Sequence, residues 1–173
     1  MILIENETIK CRDTLSADLE YVKAAESDAE NSRFVSQWSI EQHLHAIGDE
    51  DQMHITLEDS NSGKRVGYVL MAGLKNNNKS IELRRIVITE KGKGYGRQVL
   101  NLIQEYTFET IGAHRLWLDV KTFNQRARDL YKSTGFVEEG TLRESMLYNG
   151  QYDSMVIMSI LESEYNAGRT THA

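Results

Sequence analysis

Proline is absent from the sequence, so no turn or helix end is set by a proline ring. The breaks between apolar segments are made of Gly, Asn, Asp and Ser, which also favour turns. Cysteine occurs once, at Cys11, which excludes an internal disulfide. Cys11 lies in a segment of alternating polarity, and we expect it to be a buried structural thiol.

Metal-ligand patterns are also missing, because no group of Cys and His residues has the spacing of a zinc site. His43 and His45 are two residues apart, so on a helix they face different directions. We expect both on the surface, and we expect no metal.

Long apolar runs are absent, and none approaches the roughly 20 residues of a transmembrane helix. Nothing resembles a signal peptide, so we expect a cytoplasmic protein without a membrane partner. Basic residues are in the minority, with 20 Lys and Arg against 26 Asp and Glu and a formal net charge of −6. This balance argues against general nucleic-acid binding and suits a cationic small substrate.

The composition is that of an ordinary globular protein, with 40% hydrophobic and 27% charged residues in 173. This length predicts one domain, over residues 1–162. The polar stretch that follows, residues 163–173, is expected to be a frayed tail.

Patterns of polarity along the chain predict an α/β fold with a mixed, mostly antiparallel central sheet of about six to seven strands, flanked by about four helices. Strands are predicted at Thr8–Arg12, Met53–Glu58, Arg65–Leu74, Ser80–Thr89, His114–Lys121, Phe136–Leu142 and Tyr152–Leu161. Helices are predicted at Asp18–Glu26, after Ser39 to about Ile47, after the glycine loop to about Thr110, and at Gln125–Ser133.

The most informative segment is a basic loop with three glycines, Lys91–Arg97, between a β-like apolar run and a helix-like run. Glycines let the backbone approach a ligand closely, and the helix N-terminus that follows presents free N–H groups to an anion. The segment therefore predicts a phosphate or pyrophosphate cradle. Its residues are Lys91, Gly92, Lys93, Gly94, Tyr95, Gly96 and Arg97.

Two familiar phosphate loops do not fit this spacing. The dinucleotide fingerprint requires Gly-x-Gly-x-x-Gly at the first strand of a βαβ unit, whereas here every second residue from Gly92 to Gly96 is glycine. The P-loop ends in Gly-Lys-Ser/Thr, and this loop continues Gly96-Arg97-Gln98. A simple glycine-rich turn with solvated lysines remains an alternative on these residues alone.

A second motif follows the loop, on a helix that ends at Gly135. It contains Asn124, Ala127, Leu130, Tyr131, Gly135 and Phe136 in the order Asn-x-x-Ala-x-x-Leu-Tyr-x-x-x-Gly-Phe. Together with Lys91-x-x-Gly94-x-Gly96, this pattern resembles the GNAT superfamily of acetyl-CoA-dependent N-acetyltransferases. The segments 135–144 and 149–152 are similar to the branch with bacterial spermidine and ribosomal-protein alanine acetyltransferases. The Ile88–Gly92 connection is shorter than usual in that branch and lacks its common proline.

The resemblance implies acetyl-CoA as co-substrate and the GNAT fold. It implies that the pantetheine arm pairs with the strand backbone at Ile86, Val87 and Ile88. The pyrophosphate would lie on backbone N–H groups from Gly92 to Arg97, and Asn124 would bond the pantetheine or phosphate region. Arg128 is a candidate for the nucleotide phosphate, with a solvated helix face as the alternative.

The implied chemistry is direct attack of an amine on the thioester in a ternary complex, without a covalent enzyme intermediate. By resemblance Tyr131 is the general acid that protonates the departing sulfur, and the alternative is a core tyrosine. Glu82 is a candidate base or water-positioning group, and the alternative is a simple ion pair with Arg84 or Arg85.

The motifs identify the acetyl donor and leave the acceptor open between a small amine or polyamine and a protein N-terminus. A non-catalytic acyl-CoA-binding module and a domain that binds another phosphorylated ligand are alternatives. Family relatives are often dimers or larger, so a homo-oligomer is possible.

Overall fold

The computed structural model describes residues 1–170, which form one eight-stranded sheet with helices on both faces. The strands are β1 (Ile2–Glu5), β2 (Ile9–Asp13), β3 (Gln52–Asp59), β4 (Arg65–Ala72), β5 (Ser80–Ile88), β6 (Arg115–Lys121), β7 (Val137–Tyr148) and β8 (Gln151–Leu161). The helices are α1 (Leu19–Ser27), α2 (Ile40–Gly48), α3 (Tyr95–Glu105), α4 (Gln125–Ser133) and α5 (Glu162–Thr170). A 3₁₀ turn (Ser16–Asp18) precedes α1, and a π-helical segment (Tyr106–Ile111) follows α3.

The sheet order is β1-β2-β3-β4-β5-β6-β8-β7, and every neighbouring pair is antiparallel except β5 and β6. The predicted fold class, a mixed and mostly antiparallel sheet, is confirmed. The predicted strand count of six to seven is too low, because the short apolar run before β2 forms a further strand, β1. No helix within residues 1–170 is long and apolar enough to cross a membrane.

The prediction of a frayed tail over residues 163–173 is wrong for residues 163–170, which belong to α5. Tyr165 anchors this helix: its ring stacks on Phe108 with centroids 4.9 Å apart, and its hydroxyl donates to Glu109 Oε1 at 2.6 Å. One buried aromatic residue therefore orders a segment whose overall polarity indicated a free tail. The predicted tail residues 171–173 lie outside the described part of the chain.

Alternation along the strands divides the core between the two faces. On β3, Ile55 and Leu57 point to the main core, which α3 covers, whereas His54 and Thr56 point to the side covered by α1 and α2. Cys11 lies in the main core with no exposed surface, as predicted, and burial raises the pKa of its thiol to about 12.

The parallel pair β5–β6 is joined only at its beginning. Pairing runs from Ser80 opposite Arg115 to Glu82 opposite Trp117, and the described strands make no further ladder contact with each other. Beyond this point each strand has a free inner edge, and a cleft opens between them. Such unpaired edges can accept an extended ligand as an additional strand.

A β-bulge in β5 reverses the alternation beside this cleft. On β4, Leu70 opposes Arg85 and Met71 opposes Leu83, so Arg84 is the extra residue. The inserted residue turns the following side chains to the opposite face.

Leu83 before the bulge and Ile86 after it consequently pack against the same core. Strict alternation would instead have placed Ile86 on the same face as Glu82. The bulge also directs Arg85 towards α1, where its guanidinium meets the buried carboxylate of Glu26 at 2.8 Å.

Candidate active site

A cavity of about 250 Å³ fills the cleft between β5 and β6. Four residues predicted from the sequence line it together: Glu82, Ile86, Asn124 and Tyr131. They come from β5, from α4 and from the residue before α4. The unpaired stretch of the parallel strands thus brings the proposed catalytic residues and part of the proposed cofactor site to one place.

Helix α4 positions the tyrosine through its two ends. Asn124 is the N-cap, and its Oδ1 accepts from the N–H of Ala127 at 3.3 Å. At the other end Gly135 has φ 102°, and the N–H of Phe136 returns to the carbonyl of Tyr131 at 3.0 Å. These contacts set where α4 starts and stops, and so where Tyr131 faces the cavity.

Tyr131 combines a buried ring with an unsatisfied hydroxyl. Its ring packs 5.7 Å from that of Phe136, and only 8% of the residue is exposed. No other described residue makes a hydrogen bond to its hydroxyl, and Tyr131 is one of the residues that line the cavity. Burial and the nearby charge of Asp119 raise the pKa of Tyr131, so the phenol stays protonated at neutral pH.

Asp119 is a site residue that the sequence analysis missed. It lies on β6 between the buried residues Leu118 and Val120. A polar residue at such a position is typical of the solvent-facing side of any strand, so the sequence pattern does not mark it as a site residue. The structure places it on the cavity wall, reachable by solvent yet partly enclosed. This enclosure, and next the charge of Glu82, raise the pKa of the Asp119 carboxyl.

Glu82 lies on the cavity wall and also forms the ion pair that was its alternative interpretation. Arg84 donates to Glu82 Oε2 from Nη2 at 2.9 Å and from Nε at 3.0 Å. Its other possible partner, Arg85, binds Glu26 instead. Of the two carboxylates on the wall, Glu82 is thus the one with a basic partner.

Two of the three glycines in the loop have left-handed backbone angles. Gly92 and Gly94 have φ values of 77° and 75°, which side chains disfavour. No described residue accepts a hydrogen bond from the N–H groups of Gly92, Lys93 or Gly94. The N–H of Gln98 is bonded to Gly94 O at 3.3 Å, so the first turn of α3 leaves its earlier N–H groups free.

The third glycine serves packing. A Cβ on Gly96 would lie 3.1 Å from Leu130 Cδ2, so glycine lets α3 approach α4 closely. The loop and the tyrosine-bearing helix are in this way held together.

The side chains of the loop contact protein groups. Lys91 donates to Asn31 Oδ1 at 2.7 Å, and burial, followed by repulsion from Arg126, lowers its pKa. Lys93 pairs with Glu90 at 3.0 Å.

Tyr95 points inward and donates to Asp59 Oδ2 at 2.7 Å. Arg97 donates to Ser133 Oγ at 2.9 Å beside a separate groove of about 500 Å³ between α3, α4 and α5. In this loop it is therefore the backbone N–H groups of Gly92, Lys93 and Gly94, and not the side chains, that have no partner among the described residues.

The role of Arg128 at the nucleotide phosphate stays a prediction. In the structure its guanidinium donates to Glu138 Oε1 at 2.9 Å and to the carbonyl of Thr122 at 2.8 Å. It braces α4 against β7.

A buried polar network lies behind the cavity wall and was also missed. Glu26 is fully buried, and it accepts from Tyr68 at 2.6 Å, from Arg85 at 2.8 Å and from the N–H of Trp38 at 3.0 Å. Burial alone opposes ionisation of Glu26, but these bonds and the neighbouring His43 lower its pKa. Arg85 in turn stacks on Trp38, 4.1 Å from its ring centroid, and both line the cavity.

The prediction of a surface position is wrong for His43, whereas His45 is exposed. His43 shares the inner face of α2 with Ile40 and Ile47, and this three- and four-residue spacing was the available signal. Its Nε2 lies 3.0 Å from Glu26 Oε1, at an angle poor for a hydrogen bond.

The network continues from His43 Nδ1 to His54 Nε2 at 3.0 Å and from His54 Nδ1 to Thr14 Oγ1 at 2.9 Å. Burial and next the neighbouring His43 lower the pKa of His54 to about 4. Within residues 1–170, no three His, Cys, Asp or Glu side chains converge as a metal site would require.

Comparison with known proteins gives consistent results. The chain is 33% identical to the spermidine N(1)-acetyltransferase of Vibrio cholerae over 124 residues, which cover 71% of this chain and 69% of that protein. It is 26% identical to the Escherichia coli spermidine N(1)-acetyltransferase, over 95% of this chain and 91% of that one.

A solved structure of spermidine N-acetyltransferase from Vibrio cholerae, in complex with CoA and spermine, superposes with a TM-score of 0.83 and 27% identity. The superposition covers 93% of this chain and 99% of that one. Residues 16–136, which include both the glycine loop and Tyr131, match the acetyltransferase (GNAT) family. The chain therefore belongs to the GNAT family of acetyl-CoA-dependent N-acetyltransferases.

Proposed function

We propose that the protein transfers the acetyl group of acetyl-CoA to a primary amine by direct attack in a ternary complex within the β5–β6 cleft. The observation that carries this proposal is the free hydroxyl of Tyr131, which borders the cavity beside Asp119. A protonated phenol without a protein partner is placed to donate its proton to a ligand.

The residues present fit acetyl-CoA. Free N–H groups from Gly92 to Gly96 at the start of α3 suit the pyrophosphate. The unpaired edge of β5 at Ile86–Ile88 suits the amide-bearing pantetheine arm, which pairs as a strand does. Asn124 borders the same cavity and would contact the arm near its reactive end.

Asp119 is the better candidate for the base. A primary amine with a pKa near 10 is mostly protonated at neutral pH and must lose a proton before it attacks. The raised pKa of Asp119 makes it a stronger base than an ordinary carboxylate, and it has no ion-pair partner among the described residues. Glu82 is held by Arg84 and would act on the amine through water or through the charge of Asp119.

The protonated amine loses two protons on its way to the amide. Solvent takes the first, and Asp119 takes the second as the nitrogen forms a bond to the thioester carbonyl carbon. The carbon–sulfur bond breaks, and the leaving sulfur takes the proton of Tyr131. Solvent entering the cavity afterwards reprotonates Tyr131 and takes the proton of Asp119.

The test is Tyr131→Phe, which removes only the hydroxyl. We expect kcat to fall by about 100-fold or more while the Kd of acetyl-CoA changes by less than about twofold, because the hydroxyl acts mainly in the transition state. Thiol release and calorimetry measure the two quantities. Tyr106→Phe, on the π-helical segment after α3, is the matched control. An unchanged kcat in Tyr131→Phe would remove Tyr131 from the mechanism.

A further inference from the structure

The charges on the cavity wall leave one carboxylate without a basic partner. Each cation on the wall has its own acid: Arg84 pairs with Glu82 at 2.9 Å, Arg85 with Glu26 at 2.8 Å, and Lys121 with Asp153 at 3.3 Å. Among the described residues that line the cavity, Asp119 is the remaining acid, and it has no ion pair.

The rest of the wall facing the acceptor is largely apolar. It includes Phe34 and Trp38 from the α1–α2 connection and Met146 and Met155 from the β7–β8 hairpin. Trp38 is held in place by its stack on Arg85. Such a wall favours an aromatic or aliphatic body over a chain that carries further charges.

One further cation lies beside this apolar wall. The guanidinium of Arg33 is 5.1 Å from the ring centroid of Phe34, and it has no ion pair among the described residues. Glu41 and Glu144 do not line the cavity. A second ammonium group entering here would meet this guanidinium, and the one unpaired carboxylate of the lining, Asp119, would already be engaged by the reacting amine.

We infer that the acceptor is a primary amine with a single positive charge on an aromatic or aliphatic body, and that polyamines are poor acceptors. This inference rests on the proposed function and narrows its substrate class. It separates the chain from the Vibrio cholerae relative, whose solved complex contains spermine. The required amine occurs on a free arylalkylamine and on a polypeptide that begins with a large apolar residue.

The experiment compares three acceptors at saturating acetyl-CoA: phenethylamine, the peptide amide Phe-Ala-Ala, and spermidine. Initial rates of thiol release give kcat/KM for each. We expect the better of the two monoamines to exceed spermidine by at least about tenfold, since one buried like-charge contact costs that much. The ratio of kcat/KM for phenethylamine to kcat/KM for the peptide shows whether the amine comes from a free arylalkylamine or from a polypeptide.

A spermidine value equal to or above both monoamines overturns the inference and leaves the proposed acetyl transfer standing. Acetyl-CoA binding without turnover of any of the three also overturns it. Absence of acetyl-CoA binding, measured by calorimetry, refutes the proposed function itself.

A charge variant tests the wall directly. Lys121→Glu replaces a cation of the cavity wall with a third carboxylate, and we expect the spermidine to phenethylamine ratio of kcat/KM to rise about fivefold or more. Lys75→Glu is matched to it, because it changes charge equally and breaks an ion pair with Glu50, in a turn outside the cavity lining. An equal spermidine to phenethylamine ratio of kcat/KM in both variants contradicts the role of the wall. If Lys121→Glu does not fold, the comparison of the three acceptors with the wild-type protein decides.

Discussion

Replacing Glu26 with Gln removes the charge at the centre of the network behind the cavity and keeps the size of the side chain. The carboxylate accepts hydrogen bonds from Arg85, Tyr68 and the Trp38 backbone. The amide introduced by the substitution would retain one oxygen for these donors. The guanidinium of Arg85, with 8% of its side chain exposed, would lose its only acidic partner in the described structure.

The expected loss of stability follows from this uncompensated charge. Breaking one side of a buried ion pair costs about 3–5 kcal/mol, and the isosteric amide places the change near the lower end, at about 3 kcal/mol. For a protein of this length each kcal/mol corresponds to roughly 2–4 °C, so the Tm should fall by about 6–12 °C. This difference in stability is present at neutral pH. Because the pKa of Glu26 is lowered in the folded protein, the stabilisation of the fold by its charge is lost as pH falls below the usual range of a carboxyl.

Urea unfolding at pH 7, followed by circular dichroism, measures the change in the free energy of unfolding. Glu20→Gln is the matched control, because Glu20 lies on the exposed side of the same helix, and we expect it to change stability by less than about 0.5 kcal/mol. A loss below about 1 kcal/mol in Glu26→Gln would refute the interpretation that Arg85 depends on this carboxylate.

Two further predictions concern pH. In Asp119→Asn we expect kcat/KM to drop by about 100-fold or more. On the acidic side, the slope of log kcat/KM against pH should fall from about two to about one, because only the acceptor amine then titrates. The same slope in both proteins would exclude Asp119 as the base. For His54, whose pKa is lowered from 6.5 to about 4, the unfolded chain binds the proton first as pH falls. His54 should therefore contribute a decrease of about 3 kcal/mol in the free energy of unfolding between pH 6.5 and 4, which His54→Gln lacks. Parallel urea titrations of both proteins measure it, and equal decreases would contradict the prediction.

Local patterns were sufficient for much of the fold and for the ligand loop. The capping residue Ser39, the N-cap Asn124 and the left-handed glycines all act through neighbours within about four positions along the chain. Such signals can be recognised in the sequence because both partners of each contact lie close together along the chain. The boundaries of α4, which carries Tyr131, were predicted on this basis.

The features that were missed depend on contacts distant in sequence. The sequence pattern of Asp119 is that of an ordinary strand residue, and only the separation of β5 from β6 places it beside the cavity. The partner of Arg85 lies 59 residues earlier in the chain, and the bulge that directs it there exists only against β4. Helix α5 likewise depends on the contact of Tyr165 with Phe108. None of these contacts produces a periodic pattern of polarity in the sequence.

The short β5–β6 pairing also determines how the two parts of the sheet are coupled. Three residue pairs connect the β1–β5 part to the β6–β8 part. Beyond them the coupling comes from the common core, for example through Val99 and Ile103 of α3, and from single hydrogen bonds such as that of Lys121 Nζ to the carbonyl of Arg33 at 3.0 Å. Beside the cleft, the spacing of β5 and β6 is therefore not set by a ladder of backbone hydrogen bonds, and a ligand that pairs with both edges would supply one.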